Sequence, residues 1–223
     1  MAQNAEGPSA EELAARTPGE FWESLYRERV DDGAWGTRVN PVLAEVAAGL
    51  TAGAALDLAC GAGGDSLWLA GHGWHVTAVD ISPTAVERVA EAARGAEPAG
   101  TVTTESHDLT RTFPEGDFDL ISAQYFHTPY DLPRSAILRA AAGALRPGGR
   151  LLVVDHASVA PWSWRLDRDP RFPTPGEVYA EMELPDAGWT VERAEARDRR
   201  ATGPGGQTAT VTDHILVVRR AGN

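Results

Sequence analysis

The chain has 223 residues, 43% of them hydrophobic and 23% charged, with a formal net charge of −12. That length suits one α/β domain with a sizeable buried core, and that composition excludes a disordered chain. The excess of 32 acidic over 20 basic residues disfavours nucleic acid and anionic membranes as partners, because both are polyanionic.

The densest basic cluster, Arg193, Arg197, Arg199 and Arg200, is interleaved with Glu192, Glu195 and Asp198, so it reads as a solvated face. Cys60 is the one cysteine and cannot form an internal disulfide. With no signal stretch and no apolar run of membrane-spanning length, a cytoplasmic protein is expected. The six histidines show no metal-ligand spacing, and no metal site is expected.

Along the chain, the first eight residues are small and polar and read as a loose tail. Ser9 with Glu12, and Thr17-Pro18-Gly19-Glu20, each fit a capping box at a helix start. In the second of these helices Phe21, Trp22, Leu25 and Tyr26 fall on one face, which therefore needs a cover. Trp35 to Arg38 interrupts the pattern, and Asn40 with Pro41 opens a third helix through Leu50. Short apolar runs then alternate with helical stretches, the pattern of crossover units in a parallel sheet.

Strands are predicted over 54–59, 75–80, 101–105, 118–123 and 151–154, with helices over 63–70, 83–94 and 133–145 between them. Pro147-Gly148-Gly149 is read as a turn between helix and strand. After a long aromatic loop over 156–173, Thr174-Pro175-Gly176-Glu177 repeats the capping device of residues 17–20. The surroundings of the two segments do not match, so no repeat is assigned. The last two strands, over 189–196 and 213–219, have no helix-length crossover between them and are predicted to pair as an antiparallel hairpin.

Two constellations carry the chemistry. Leu56 to Leu58 forms a strand running into Cys60-Gly61-Ala62-Gly63-Gly64 and a helix. Glycines there let backbone approach a ligand, and the first helical turn presents unpaired amides to it. About 20 residues on, the strand Val76 to Val79 ends in Asp80, the spacing at which a carboxylate accepts both hydroxyls of a ribose. A nicotinamide dehydrogenase shares both features. Against it stand Ser66 at the position where a dinucleotide fingerprint favours Gly or Ala, the short chain, and the terminal hairpin.

The segments LDLACGAGG, VTAVDIS, SHDLT, FDLISAQYF and LRPGGRLLVVDH, in this order and spacing, resemble the successive motifs of the class I S-adenosylmethionine-dependent methyltransferases. The resemblance covers roughly residues 50 to 220. It implies a Rossmann-like, seven-stranded, mostly parallel sheet with an antiparallel terminal hairpin, and S-adenosylmethionine as cofactor. By the same resemblance Gly61 and Gly63 approach the methionine part of the cofactor, Asp80 the ribose, and Asp108 with Leu109 the adenine edge. Asp57, Ala59, Ile81 and Gln124 complete the core part of the implied cofactor site.

Trp22, Tyr26 and the segment Trp35 to Pro41 resemble the N-terminal region of the thiopurine and tellurite-resistance branch, in which the N-terminal helix is a lid. Trp22 and Arg38 join the implied cofactor residues on that ground, Arg38 as a partner for a carboxylate. The whole chain, 1–223, is read as one domain, with 1–50 as a helical lid and 51–223 as the core.

Methyl transfer from a sulfonium is an in-line displacement, so alignment of nucleophile and methyl carbon supplies much of the acceleration. Soft anions need no base, whereas phenols and alcohols benefit from one. The segment Gln124-Tyr125-Phe126-His127 follows the fourth strand at the edge where the methyl should point. Gln124 is placed to orient a ligand and Tyr125 to wall the methyl. His127 is the first candidate base, because imidazole titrates near neutral pH, and His156, past the fifth strand, is the second.

Pro161 to Arg165 and Phe172 are candidates for an apolar cover over the acceptor. The expected activity is methyl transfer to a small-molecule acceptor, a soft sulfur, selenium or tellurium nucleophile. The alternatives are O- or N-methylation of a metabolite, and a module that binds S-adenosylmethionine without catalysis. Oligomeric state is not readable from the sequence.

Overall fold

Strand β1 (Ala54–Leu58) is the axis about which the sheet is built. It pairs in parallel with β2 (His75–Asp80) on one side and with β4 (Phe118–Gln124) on the other. β3 (Thr101–Ser106) extends the sheet beyond β2, and β5 (Leu145–His156) extends it beyond β4. β7 (Thr208–Arg220) then pairs antiparallel with β5, and β6 (Trp189–Thr202) antiparallel with β7. The order is β3-β2-β1-β4-β5-β7-β6, so the expected Rossmann-like sheet with its terminal hairpin is present. The order reverses between β1 and β4, and in open sheets of this kind ligands bind at the carboxyl edge of such a switch point.

This computed structural model describes residues 8–28, 37–163, 171–203 and 205–222. Residues 1–7 of the expected eight-residue tail, Trp35 with Gly36, and Trp164 with Arg165 lie outside the described residues.

The described residues form seven helices: α1 (Ala10–Ala14), α2 (Pro18–Glu28), α3 (Pro41–Ala48), α4 (Gly64–Gly71), α5 (Pro83–Ala96), α6 (Arg134–Gly143) and α7 (Pro175–Glu181). Their starts follow the predicted caps. Ser9 and Thr174 each form a full capping box, and Thr17 and Glu20 exchange backbone and side-chain bonds at the start of α2. Asn40 and Ser82 accept from the first turns of α3 and α5, where Pro41 and Pro83 occupy the first helical position, a site that costs the helix no hydrogen bond.

Strand alternation divides the core between the two faces of the sheet. Leu56, Leu58, Ile121, Leu151 and Val153 pack with Leu138 of α6 and Val178 of α7. Ala55, Val76, Ala78, Leu120, Leu152 and Val154 pack on the opposite face with Leu43 of α3 and Leu69 of α4. The same alternation places Asp57 on the α4 side and Asp155, two residues beyond Val153, on the α6 side.

Two predicted boundaries need correction. β5 begins at Leu145, not 151: Phe118 pairs Leu145 and Leu120 pairs Arg150, so Pro147 to Gly149 is a bulge inside the strand, with Gly148 at φ +84°. A bulge opposes extra residues to one partner and is invisible to pattern reading. The hairpin is also longer than predicted. β6 runs on through Arg197-Asp198-Arg199-Arg200 to Thr202, and the chain reverses between Gly203 and Gln207. Those charged residues occupy an edge strand, where polar side chains on both faces hide the strand period.

Leu152 is fully buried at the centre of the sheet. Truncation to Leu152→Ala is expected to cost about 2–5 kcal/mol through lost burial and an incompletely collapsed cavity, read as a lower urea midpoint with unchanged m-value.

Candidate functional site

At the carboxyl end of β1 the backbone turns sharply. Ala59 lies at φ +55° and Gly61 at φ +53°, and the amide of Cys60 donates to the carbonyl of Val79 (2.9 Å), which ties the loop to β2. A Cβ on Gly61 would stand 2.8 Å from the hydroxyl oxygen of Tyr26, and one on Gly63, at φ +80°, would stand 2.5 Å from Val89 of α5. The predicted glycines therefore serve both conformation and close approach.

Asp80 closes the loop from the β2 side. One carboxylate oxygen accepts the amide of Gly61 (3.0 Å) and the other that of Ser82 (3.0 Å). Burial pushes its carboxyl up, against the pull of those amides. Each oxygen keeps a further lone pair for a ligand hydroxyl.

Asp57, 2% exposed, accepts the Ser66 hydroxyl at 2.5 Å, which gives Ser66 a role that Gly or Ala could not fill. Burial, then the charges of Asp65 and Asp80, push the Asp57 carboxyl well above the usual carboxylate range. Asp65 in turn accepts the amide of Asn40 (2.6 Å). Three carboxylates thus surround the glycine loop, an environment suited to a cationic ligand.

Helix α2 lies over this edge. Tyr26 is buried against Gly61, and Gly19 lies beside Ile81. Glu23 accepts the Ser82 hydroxyl (2.6 Å), the Thr84 hydroxyl (2.7 Å) and the Thr84 amide (3.1 Å). Burial opposes its ionisation, but these bonds and Arg27 outweigh it and hold the carboxyl at about 2. On the other side of α2, the Trp22 indole donates to the Thr128 hydroxyl (3.4 Å) and Phe21 packs edge-on against Tyr130 (centroids 5.7 Å apart). Of the aromatic face predicted for α2, Phe21 and Trp22 thus meet the segment after β4 and Tyr26 the glycine loop, while the polar Glu23 meets the start of α5.

The ends of β4, β5 and β7 form the adjacent part of the edge. Gln124 donates to the Ser122 hydroxyl (2.8 Å), while its own carbonyl oxygen is buried and lacks a hydrogen-bond partner among the described residues. Tyr125 adopts φ +49°, uncommon for a residue with a side chain. It stacks on His156 (4.3 Å) and donates its hydroxyl to Asp213 (2.8 Å). Burial, then the Asp213 charge, pushes its phenol up, so Tyr125 is a hydrogen-bond donor and not a base.

Asp213 also accepts Arg199 (2.5 Å) and faces His156 Nδ1 at 3.9 Å. His127 lies 5.9 Å, ring to ring, from His156, with Nε2 3.3 Å from Asp155. The two predicted bases are therefore neighbours, each with a buried carboxylate behind it.

Other predicted residues fare differently. Asp108 spends one oxygen on the amide (3.0 Å) and hydroxyl (2.6 Å) of Thr110, an Asx turn that leaves its second oxygen. Leu109 is half-buried against the core. Arg38 is exposed ahead of α3. Trp162 lies against Gly203 in the hairpin turn, so this part of the expected aromatic cover packs on the hairpin. Sequence reading missed Glu23, Asp65, Arg134, Asp155, Arg199 and Asp213. Only Asp155, in the strand-ending Val153-Val154-Asp155-His156, carried a local signal, an acid at a carboxyl edge.

Residues 55–149 match a family described as a methyltransferase domain. No protein of curated function matches the sequence. Among solved structures, one reported for the conversion of a disulfide bond into a thioacetal group during echinomycin biosynthesis is 24% identical, with a TM-score of 0.70 over 93% of each chain. TehB from Haemophilus influenzae is 18% identical, with a TM-score of 0.62 over 89% of this chain and 67% of that one. The N-methyltransferase NodS from Bradyrhizobium japonicum, in complex with S-adenosyl-L-homocysteine, is 19% identical, with a TM-score of 0.63 over 92% and 99%.

A methyltransferase-domain match over residues 55–149, set in a seven-stranded Rossmann-like sheet, supports an S-adenosylmethionine-dependent methyltransferase enzyme. Among the described residues no helix is long and apolar enough to cross a membrane.

Glu23 tests the docking of α2. A carboxyl depressed from 4.5 to about 2 contributes stability that is present above about pH 4.5 and lost as pH falls toward 2. Glu23→Gln is expected to lose about 1–2 kcal/mol at pH 7, and urea titrations should show the gap from wild type narrowing below pH 4.5.

Proposed function

We propose that this enzyme transfers the methyl group to a small-molecule acceptor held between helix α2 and the ends of β4, β5 and β7. The observation that carries this reading is that one sheet edge joins the glycine loop and Asp80 to a cluster of Tyr125, His127 and His156. We read residues 1–223 as one domain, in which the first 50 cover the site as a lid. The bridging of α5 and the segment after β4 by Glu23, Trp22 and Phe21 supports that role.

The chain's residues suit the cofactor. Gly61 and Gly63 leave room beside the loop for its methionine part, and the Asp57 and Asp65 carboxyl groups, pushed up in the free protein, would be drawn to ionise by its ammonium group. Asp80 and Ile81 bracket the ribose. Asp108, through its second oxygen, and Leu109 take the adenine edge. Gln124, through its orphaned carbonyl, and Trp22 face the methionine part, with Ala59 shaping the turn and Arg38 available to the carboxylate. Bound there, S-adenosylmethionine supplies an electrophilic methyl on a sulfonium.

Tyr125 walls the transfer path, and exclusion of water by α2 favours attack by the acceptor alone. As the acceptor's lone pair forms the new bond to carbon, the carbon–sulfur pair stays on sulfur. The acceptor's proton, where it has one, passes to His127 or, in its place, His156.

A soft sulfur, selenium or tellurium nucleophile is the leading acceptor. The likenesses to TehB and to the structure reported for conversion of a disulfide into a thioacetal support it, as does the thiopurine and tellurite-resistance pattern of residues 22–41. The histidine pair favours a second reading, an O- or N-acceptor that must lose a proton.

Titration calorimetry is expected to show binding of S-adenosylmethionine and S-adenosylhomocysteine and little of NAD; preference for NAD overturns the reading. Asp80→Ala should weaken cofactor binding by about 1–3 kcal/mol, the range for a lost charge-assisted bond. His127→Ala should lower turnover in an acceptor screen that reads homocysteine product, while cofactor affinity stays within about twofold, since the residue lies on the acceptor side.

A further inference from the structure

Arg134, the first residue of α6, grips two things at once. Its Nη2 donates to both oxygens of Asp155 at 2.7 Å, and its Nε donates to the carbonyl of Phe126 (3.1 Å), the residue before His127. The His127 amide meanwhile donates to the carbonyl of Tyr125 (2.7 Å). Backbone and carboxylate are thus fixed relative to each other, and the His127 ring sits between them with Nε2 buried, 3.3 Å from Asp155 Oδ1 and off the axis of a full hydrogen bond. Hydrogen bonds in catalytic sites are often this loose before the ligands are in place.

We propose that Asp155, clamped by Arg134, is a positioning residue that holds the proton of neutral His127 on Nε2 and so leaves the Nδ1 lone pair to take the acceptor's proton. The inference rests on His127 being the base.

An ionised carboxylate only accepts hydrogen bonds, so the ring edge facing Asp155 must be the protonated one. Asp155 stays ionised although 2% exposed. Burial pushes its carboxyl up, but His127 and Arg134 together hold it below the ordinary range. A buried acid with a single cationic partner and a polar imidazole edge is otherwise costly to keep. The other groups facing the ring are His156 of β5 (5.9 Å) and Arg134 of α6. Asp213 and Arg199 are spent on Tyr125, on each other and on His156. His156 has a more exposed ring and a longer carboxylate contact, 3.9 Å; Arg199 grips its carboxylate, Asp213, but among the described residues makes no bond that ties that carboxylate to the backbone beside His156, as Arg134 does for His127.

Asp155→Asn gives the sharpest test. Arg134 needs an acceptor and claims the new amide oxygen, which turns the NH2 group toward His127 Nε2 and makes that nitrogen an acceptor. Long-range 15N–1H spectra of the protein saturated with S-adenosylhomocysteine, with His127 assigned by difference against His127→Gln, should show Nε2–H in the wild type and Nδ1–H in Asp155→Asn. S-Adenosylhomocysteine affinity should stay within twofold.

A wild-type tautomer in Asp155→Asn overturns the role of Asp155. Should that variant fail to fold, the wild type alone decides. A protected Nε2-bound proton at pH 7 is expected, and Nδ1–H, or rapid exchange at Nε2, overturns the proposal. Unchanged turnover in His127→Ala would instead remove His127 as base, whatever tautomer is found, so the two failures are distinguishable.

Discussion

The carboxylate of Asp80 holds two ends of chain together. By accepting the amides of Gly61 and Ser82 it fastens the turn after β1 to the turn after β2, across a parallel pair whose own ladder stops at Leu58 and Val79. What surrounds it follows from that knot. The glycine turn is held where Gly61 meets Tyr26 and Gly63 meets Val89. Ser82, fixed through its amide, keeps its hydroxyl for the α5 cap and for Glu23. Helix α2 is thereby seated by a chain of polar contacts that begins at Asp80, so the geometry of the glycine turn and the placement of α2 are not independent. The arrangement concentrates negative charge in a poorly solvated place, which favours a ligand that brings positive charge.

What sequence could tell depended on how local each feature is. The turns after β1 and β2 are specified by residues within ten positions of one another, and the pattern of glycines, apolar strand and terminal acid was readable directly. Helix starts were readable for the same reason, since Ser9, Thr17, Asn40, Ser82 and Thr174 act on amides two or three residues away. Asp213 and Arg199 were not readable. Their partners Tyr125 and His156 lie on other elements, and Asp213 reaches His156 only because β7 inserts between β5 and β6 in one particular register. Glu23 escaped notice because the aromatics beside it dominated the pattern of α2. The Asp108 side chain showed the converse, a motif residue partly consumed by its own turn.

The ends of β5 and β7 differ in electrostatic character from the glycine loop. Around the glycine loop acids outnumber bases, whereas at the ends of β5 and β7 each buried acid is matched by an arginine, Asp155 by Arg134 and Asp213 by Arg199. Charge there is balanced before any ligand arrives. Such pairing compensates the two buried carboxylates within the protein itself.

The outermost strand, β6, leaves one row of backbone amides and carbonyls open along 14 residues, the kind of border onto which a second chain can graft itself. Its sequence works against that. Arg193, Arg197, Arg199 and Arg200 gather basic residues onto the border of a molecule whose net charge is −12. These arginines alternate with Glu192, Glu195 and Asp198 and are paired within the chain, Arg193 and Arg197 with Glu45 and Arg199 with Asp213, so the border is densely ionic. The last strand of the sheet therefore ends the fold chemically as well as geometrically, since a second chain pairing with it would have to strip water from a row of ionised side chains.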